Sequence, residues 1–213
     1  VQFNHDTPSV PLITGAVPYG ELTGYTAVSA ENGVPYTATD TNGDVLGTVA
    51  NSQITIDYDY TFALAGDCSI PAGQPGAVQL FQIRDLVPTP STGLSNNSGL
   101  NGSAAIRLVN LSPTAGSVKL VTTSIGGVAQ NTPYATVSPV TNVTFGSASQ
   151  YGTLAVNTYG LAIENTSTNA AITTQITLNS LPLQTNVAYS IFLVGSANST
   201  AQPYNVIVLP DAP

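Results

Sequence analysis

Punctuation constrains this chain more than any other feature in it. Nineteen Gly and fifteen Pro are scattered through 213 residues, and nowhere between them does an apolar face repeat every 3.6 residues for the roughly ten or more residues a helix needs. What recurs instead is a short β-branched or aromatic run bounded by Gly, Pro, Asn or Ser, as in QITIDYDYTFALAG, AIRLVNL and YNVIVLP. Such runs read as strands. In TATDTNGDVLGTV, Asn42-Gly43 sits between two Thr- and Val-rich runs, the signal of a tight type I′ hairpin. The expected class is all-β.

The strands come in two echoing sets. VQFNHDTPSV at the front is answered by AAIRLVNLSPTAGSV, PYGELTGY at 18–25 by PYATVSPV at 133–140, and YDYTFALAG at 58–66 by VAYSIFLVG at 187–195. AVQLFQIRDL and YNVIVLPD close the two sets. Landmarks in the same order imply two tandem antiparallel β-sandwich domains, residues 1–86 and 104–213. The Pro-, Ser-, Gly- and Asn-rich stretch 87–103 reads as a linker. Each unit is long enough to close one small core. They differ near the front. The second has KLVTTSIGGVAQNT, where Gly-Gly predicts a hairpin, against only PLITGAV in the first. A missing hairpin would shorten one sheet of the first domain and leave an edge open to another strand.

Charge excludes several functions. Lys119, Arg84 and Arg107 face eleven acids, for a net charge of −8, so there is no basic footprint for nucleic acid or for anionic lipid. Nine of the eleven acids lie at or before Asp85. With 28 Thr, 19 Ser and 17 Asn, the surface must be hydrated by neutral polar groups, which do not titrate. No run approaches the roughly 18 apolar residues of a membrane span. The chain opens at Val1 without a Met, a basic stretch or an apolar leader, and so reads as a mature product whose export signal has been removed.

Chemistry-bearing residues are few. His5 is the only His. Asp6 beside it would point to the opposite face of the strand, so a structural hydrogen bond across the turn is the expectation for His5 and no catalytic residue is assigned. Asp40, Asn42 and Asp44 have calcium-loop spacing, but Gly is missing after Asp44 and Asn51 stands where a bidentate Glu belongs; a plain hairpin turn accounts for them. Asp57 and Asp59 share a strand face and are either solvated or bridged by calcium. Cys68 is alone, in GDCSIPAGQPG, and is either an inert or partly buried thiol or an intermolecular cross-link. Six Asn-x-Ser/Thr sequons, at Asn96, Asn101, Asn110, Asn142, Asn165 and Asn198, are candidate glycosylation sites. No cofactor is implied.

HDTPSV, NLSPTAGSV, the two Pro-Tyr turns and AYSIFLVG together resemble the DUF4397 family of secreted, Ig-like β-sandwich domains. The resemblance covers both units, and its motifs are turn and strand signatures. It implies an Ig-like fold and an extracellular setting, and no active site. His5 stands where the family carries His. Asn110 stands there in the second unit, so no His-dependent role is common to both.

Together these features point to a secreted, non-enzymatic structural protein of the cell surface, its partners copies of itself. Val1, Gln2, Phe3 and Asn4, or the C-terminal NVIVLPDAP, would pair with an open edge of the next molecule and build a pilus-like filament. The alternative is a monomeric adhesin or glycan-binding module that holds surface polysaccharide.

Overall fold

The computed structural model describes residues 1–5, 12, 16–23, 26–55, 58–85, 100, 102–172 and 178–210. Its regular secondary structure is almost entirely strand, as the punctuation demands, and it divides into two compact units, residues 1–85 and 86–213. Most of the stretch read as a linker lies outside the described residues.

In the first unit β1 (Gln2–His5), β2 (Glu31–Thr39) and β3 (Val45–Ile54) form an antiparallel sheet in that order, and β4 (Asp59–Ala65) pairs with β5 (Gln79–Asp85). Its core is small. Tyr36, Ala38, Ile54 and Leu80 are buried, with Val1, Phe3, Leu12, Val49, Tyr60, Phe62 and Leu64 packed against them. Tyr36 stacks on Phe62 at a centroid distance of 4.5 Å, which ties the larger sheet to the β4–β5 pair. The two approach closely at Gly47, where an added Cβ would lie 2.7 Å from the backbone nitrogen of Leu80.

The β2–β3 hairpin exists, but its turn is not type I′. That turn needs positive φ at both central residues. Gly43 has it, at 90°, and Asn42 is not among the described non-glycine residues that do. The Asp40 carboxylate decides the shape: Oδ1 accepts the amides of Asn42 at 2.8 Å and Asp44 at 2.9 Å, which widens the loop to Asp40–Asp44.

The second unit has two five-stranded sheets. One contains β6 (Ala104–Asn110), β10 (Ser147–Ala148), β11 (Gly152–Leu154), β14 (Ala188–Val194) and β15 (Asn205–Pro210); the other contains β7 (Val118–Ile125), β8 (Val128–Ala129), β9 (Ala135–Thr136), β12 (Thr158–Asn165) and β13 (Leu178–Pro182). Ile106 and Leu108 of β6 and Ile191 and Leu193 of β14 meet Leu120 of β7 and Leu161 and Ile163 of β12 in one core, so the unit is β-sandwich-like. Gly126-Gly127, both at positive φ, closes the expected hairpin between β7 and β8. The expectation of purely antiparallel sheets is corrected here. β6 and β14 run parallel, Ile106 opposite Tyr189 and Leu108 opposite Ile191, because the chain leaves β6 for the other sheet and re-enters in the same direction. Arg107, on the opposite face of β6 from the core, is buried, and its Nε donates to Ser190 Oγ at 2.7 Å.

The echo is legible in part. β4–β5 and β14–β15 are matching antiparallel hairpins, and Gly66 and Gly195 after their first strands both have positive φ. The opening strands diverge: β6 pairs with β14, whereas β1 pairs with β2 in the other sheet of its unit. Among the described residues the first unit is correspondingly thin, with sheets of three and two strands against five and five. If the close approach at Gly47 is as tight as the geometry says, Gly47→Ala lowers unfolding stability by about 1–3 kcal/mol through overpacking, whereas Val128→Ala, at an exposed position, stays within about 0.5 kcal/mol. Denaturant titration measures both.

Candidate functional site

The most densely tied polar group of the first unit is where β1 meets β2. Gln2, Phe3, Asn4 and His5 lie opposite Thr39, Ala38, Thr37 and Tyr36. A four-residue strand brings few ladder bonds, so its side chains carry the specificity. Val1 and Phe3 pack against the core. Asn4 is buried, and its Nδ2 donates to Thr39 Oγ1 at 3.1 Å. Nε2 of His5 reaches both carboxylate oxygens of Glu31, at 2.9 and 2.8 Å. A carboxylate only accepts, so Nε2 carries the proton. The Tyr36 hydroxyl donates to the same carboxylate, and the His5 ring meets the Tyr36 ring edge-on at 5.1 Å.

The outer side of β1 is also tied. The Val1 ammonium donates to the carbonyl of Val17 at 3.1 Å, the amide of Val17 donates to the carbonyl of Val1 at 2.7 Å, and the amide of Leu12 donates to the carbonyl of Phe3 at 2.8 Å. Among the described residues, Leu12 and Val17 thus form an arm bonded along the outer side of β1.

Electrostatics make Glu31 the centre of the clamp. Burial would raise its pKa, but the hydrogen bonds from Tyr36 and His5 and the charge of a protonated His5 outweigh that and hold it below the ordinary carboxylate value. Tyr36 is pushed up, by burial first and then by its bond to the Glu31 carboxylate and that carboxylate's charge, so its phenol keeps its proton. The group fastens one strand to another. His5 does make a structural hydrogen bond, but across two strands rather than across the turn, and Asp6 lies outside the described residues.

The other candidates scatter. Asp59 is exposed on β4 and Asp57 lies outside the described residues; among the described residues no group of three or more His, Cys, Asp or Glu could hold a metal ion. Cys68 is exposed, which removes the partly buried reading. Asn96 and Asn101 fall outside the described residues. Asn110 is corrected as a glycan acceptor: it is fully buried, and its Nδ2 donates to the carbonyls of Gly116 and Val143. Asn165 is half-buried, its Nδ2 given to the carbonyl of Ala115 and its Oδ1 taking the amides of Ser167 and Thr168. Asn142 and Asn198 are exposed. Among the described residues, no helix is long and apolar enough to cross a membrane.

Sequence reasoning placed His5 and the arm residues but missed Glu31 and Tyr36. Nothing local marks them; only the register of β1 on β2 brings them to His5. No family model matches the chain, and no curated protein matches it either.

Two outcomes follow. A carboxylate whose pKa falls on folding stabilises above its unfolded value, near about 4.3, and loses that contribution as pH drops through the lower folded value. Glu31→Gln therefore costs about 1–3 kcal/mol at neutral pH, and the deficit narrows below pH ~4, read by denaturation at stepped pH. Produced in a host that N-glycosylates, the folded chain carries glycan at Asn142 and Asn198 and none at Asn110, read by peptide mass spectrometry after deglycosylation in heavy water.

Proposed function

We propose that this chain is an exported, non-enzymatic structural protein whose copies assemble into a surface filament by strand addition. The observation that carries the reading is β1 itself. It is a four-residue strand at one side of a three-stranded sheet, followed by residues 6–30, whose described members form no strand or helix. A short strand with a built seat and a long connection has the anatomy of a donor, since backbone pairing supplies affinity and side-chain seats supply register.

The thin first unit supports the same reading, because a small core gains most from stabilisation by a neighbour. A nearly uncharged polar surface, with accessible sequons at Asn142 and Asn198, suits an exposed extracellular polymer. The finer fold assignment, two Ig-like sandwiches of the DUF4397 kind, belongs to this proposal; the strand content and the facing sheets of the second unit support it. The adhesin reading draws on the exposed rings of Tyr19 and Tyr58, the latter with the Arg84 guanidinium 3.8 Å above it.

Negative-stain microscopy and light scattering of the intact chain test the proposal. Regular filaments are expected, and deleting residues 1–8 leaves single subunits. A monodisperse species of 21.7 kDa at every concentration would overturn the assembly, and binding of that monomer to polysaccharide would favour the adhesin.

A further inference from the structure

We propose that Lys119, Glu164 and Asn169 form a self-reacting cross-link site, in which the Lys119 amine joins the Asn169 side chain as an amide and releases ammonia. The three side chains meet on the outer face of the β7–β12 pair. Lys119 lies opposite Glu164 in the ladder, and its Nζ stands 3.2 Å from Glu164 Oε2 and 2.8 Å from Asn169 Oδ1. One amine thus touches both a base and a carboxamide. The site does not depend on how copies assemble.

Lys119 is the only Lys in the chain, and it is not spent on hydrating the surface. Its side chain is 14% exposed and that of Glu164 10%, where Lys and Glu are seldom found without a partner. Beside them on the same face, Val121 and Ala162 lie opposite each other and are buried. Little water therefore competes for the proton that passes between amine and carboxylate.

The loop carrying Asn169 is built to hold it. Asn165 Oδ1 takes the amides of Ser167 at 2.9 Å and Thr168 at 3.1 Å. The amide of Asn169 donates to the carbonyl of Asn165, and the amide of Asn165 to the carbonyl of Ala170, both at 2.9 Å. Asn169 itself has a φ of 55°, a left-handed conformation uncommon outside Gly, and its carboxamide reaches back to Lys119.

The chemistry balances with no oxidant and no cofactor. Glu164 takes one proton from the Lys119 ammonium, and the free amine attacks Cγ of Asn169. Cγ is one bond beyond Oδ1, so a side-chain rotation brings it to the ~3–3.5 Å of a reacting pair. The Nζ–Cγ bond forms and the Cγ–Nδ2 bond breaks. Nδ2 leaves as ammonia with the proton from Glu164, and the carboxylate then takes the surplus proton of Nζ and passes it to water. Asn169 is exposed, so ammonia escapes. The product ties β7 to the turn after β12, across 50 positions of chain. With Cys68 as its one Cys, the chain has no internal disulfide to serve that purpose.

Intact mass of the purified full chain is the test, with a digest to place the bond. The mass is expected about 17 Da below that of the sequence, the loss of one ammonia. After denaturation, a glutamate-specific protease cuts after Glu21, Glu31 and Glu164, which puts Lys119 in fragment 32–164 and Asn169 in fragment 165–213. The two fragments should run as one. Full mass with separate fragments, after days in the folded state, overturns the proposal. So does the lighter mass with separate fragments, which marks a succinimide elsewhere. Lys119→Arg keeps the ion pair with Glu164 but cannot form the bond; it should show full mass and unfold about 10 °C lower, and an unchanged midpoint counts against the cross-link. Glu164→Gln should fold and keep its full mass, whereas ammonia loss at the parent's rate removes Glu164 as the base.

Discussion

The carboxylate of Glu31 sits between His5 of one strand and Tyr36 of the next, and the architecture of the first unit depends on that tie. Ordering a residue costs roughly 1–2 kcal/mol of backbone entropy, so a strand as short as β1 cannot hold its place by ladder bonds alone. It is held by Phe3 and Val1 against the core, by Asn4 on Thr39 and by His5 on Glu31. Tyr36 links that clamp to the rest of the unit, since the ring that donates to Glu31 also stacks on Phe62 of the β4–β5 pair.

The second unit shows what the same sequence landmark becomes when it is built in. β6 lies inside a five-stranded sheet, every residue buried, with β14 on one side and β10 and β11 on the other. Asn110, which stands where the first unit has His5, spends its amide on two carbonyls of its own unit. Such a strand leaves only when the unit unfolds. β1 rests on one neighbouring strand, is held by an ionisable contact that weakens in acid, and is followed by a stretch whose described residues are mostly exposed. One landmark is therefore an inner strand of its sheet in one copy and an edge strand in the other.

How much of this the sequence disclosed depends on whether the deciding contact is local. Strand identity was legible from Gly and Pro spacing, and so was the Gly126-Gly127 hairpin, because two adjacent glycines at positive φ need no outside help. Asn42-Gly43 pointed to a hairpin but not to its turn type, since the Asp40 carboxylate competes for the same amides. The parallel pairing of β6 with β14 and the gathering of Glu31 and Tyr36 around His5 were not legible. Both depend on register between segments far apart in the chain. Asn110 looked like any other sequon until its burial was known.

Native-state hydrogen exchange tests most directly whether the arm is a detachable element. Because the carbonyls of Val1 and Phe3 point outward to Val17 and Leu12, the amides of Gln2 and Asn4 are the ones facing β2. If the arm opens while the unit stays folded, these exchange at least about tenfold faster than the amides of Tyr36 and Ala38, which face β3. Equal rates at all four positions, set by unfolding of the whole unit, would contradict the account.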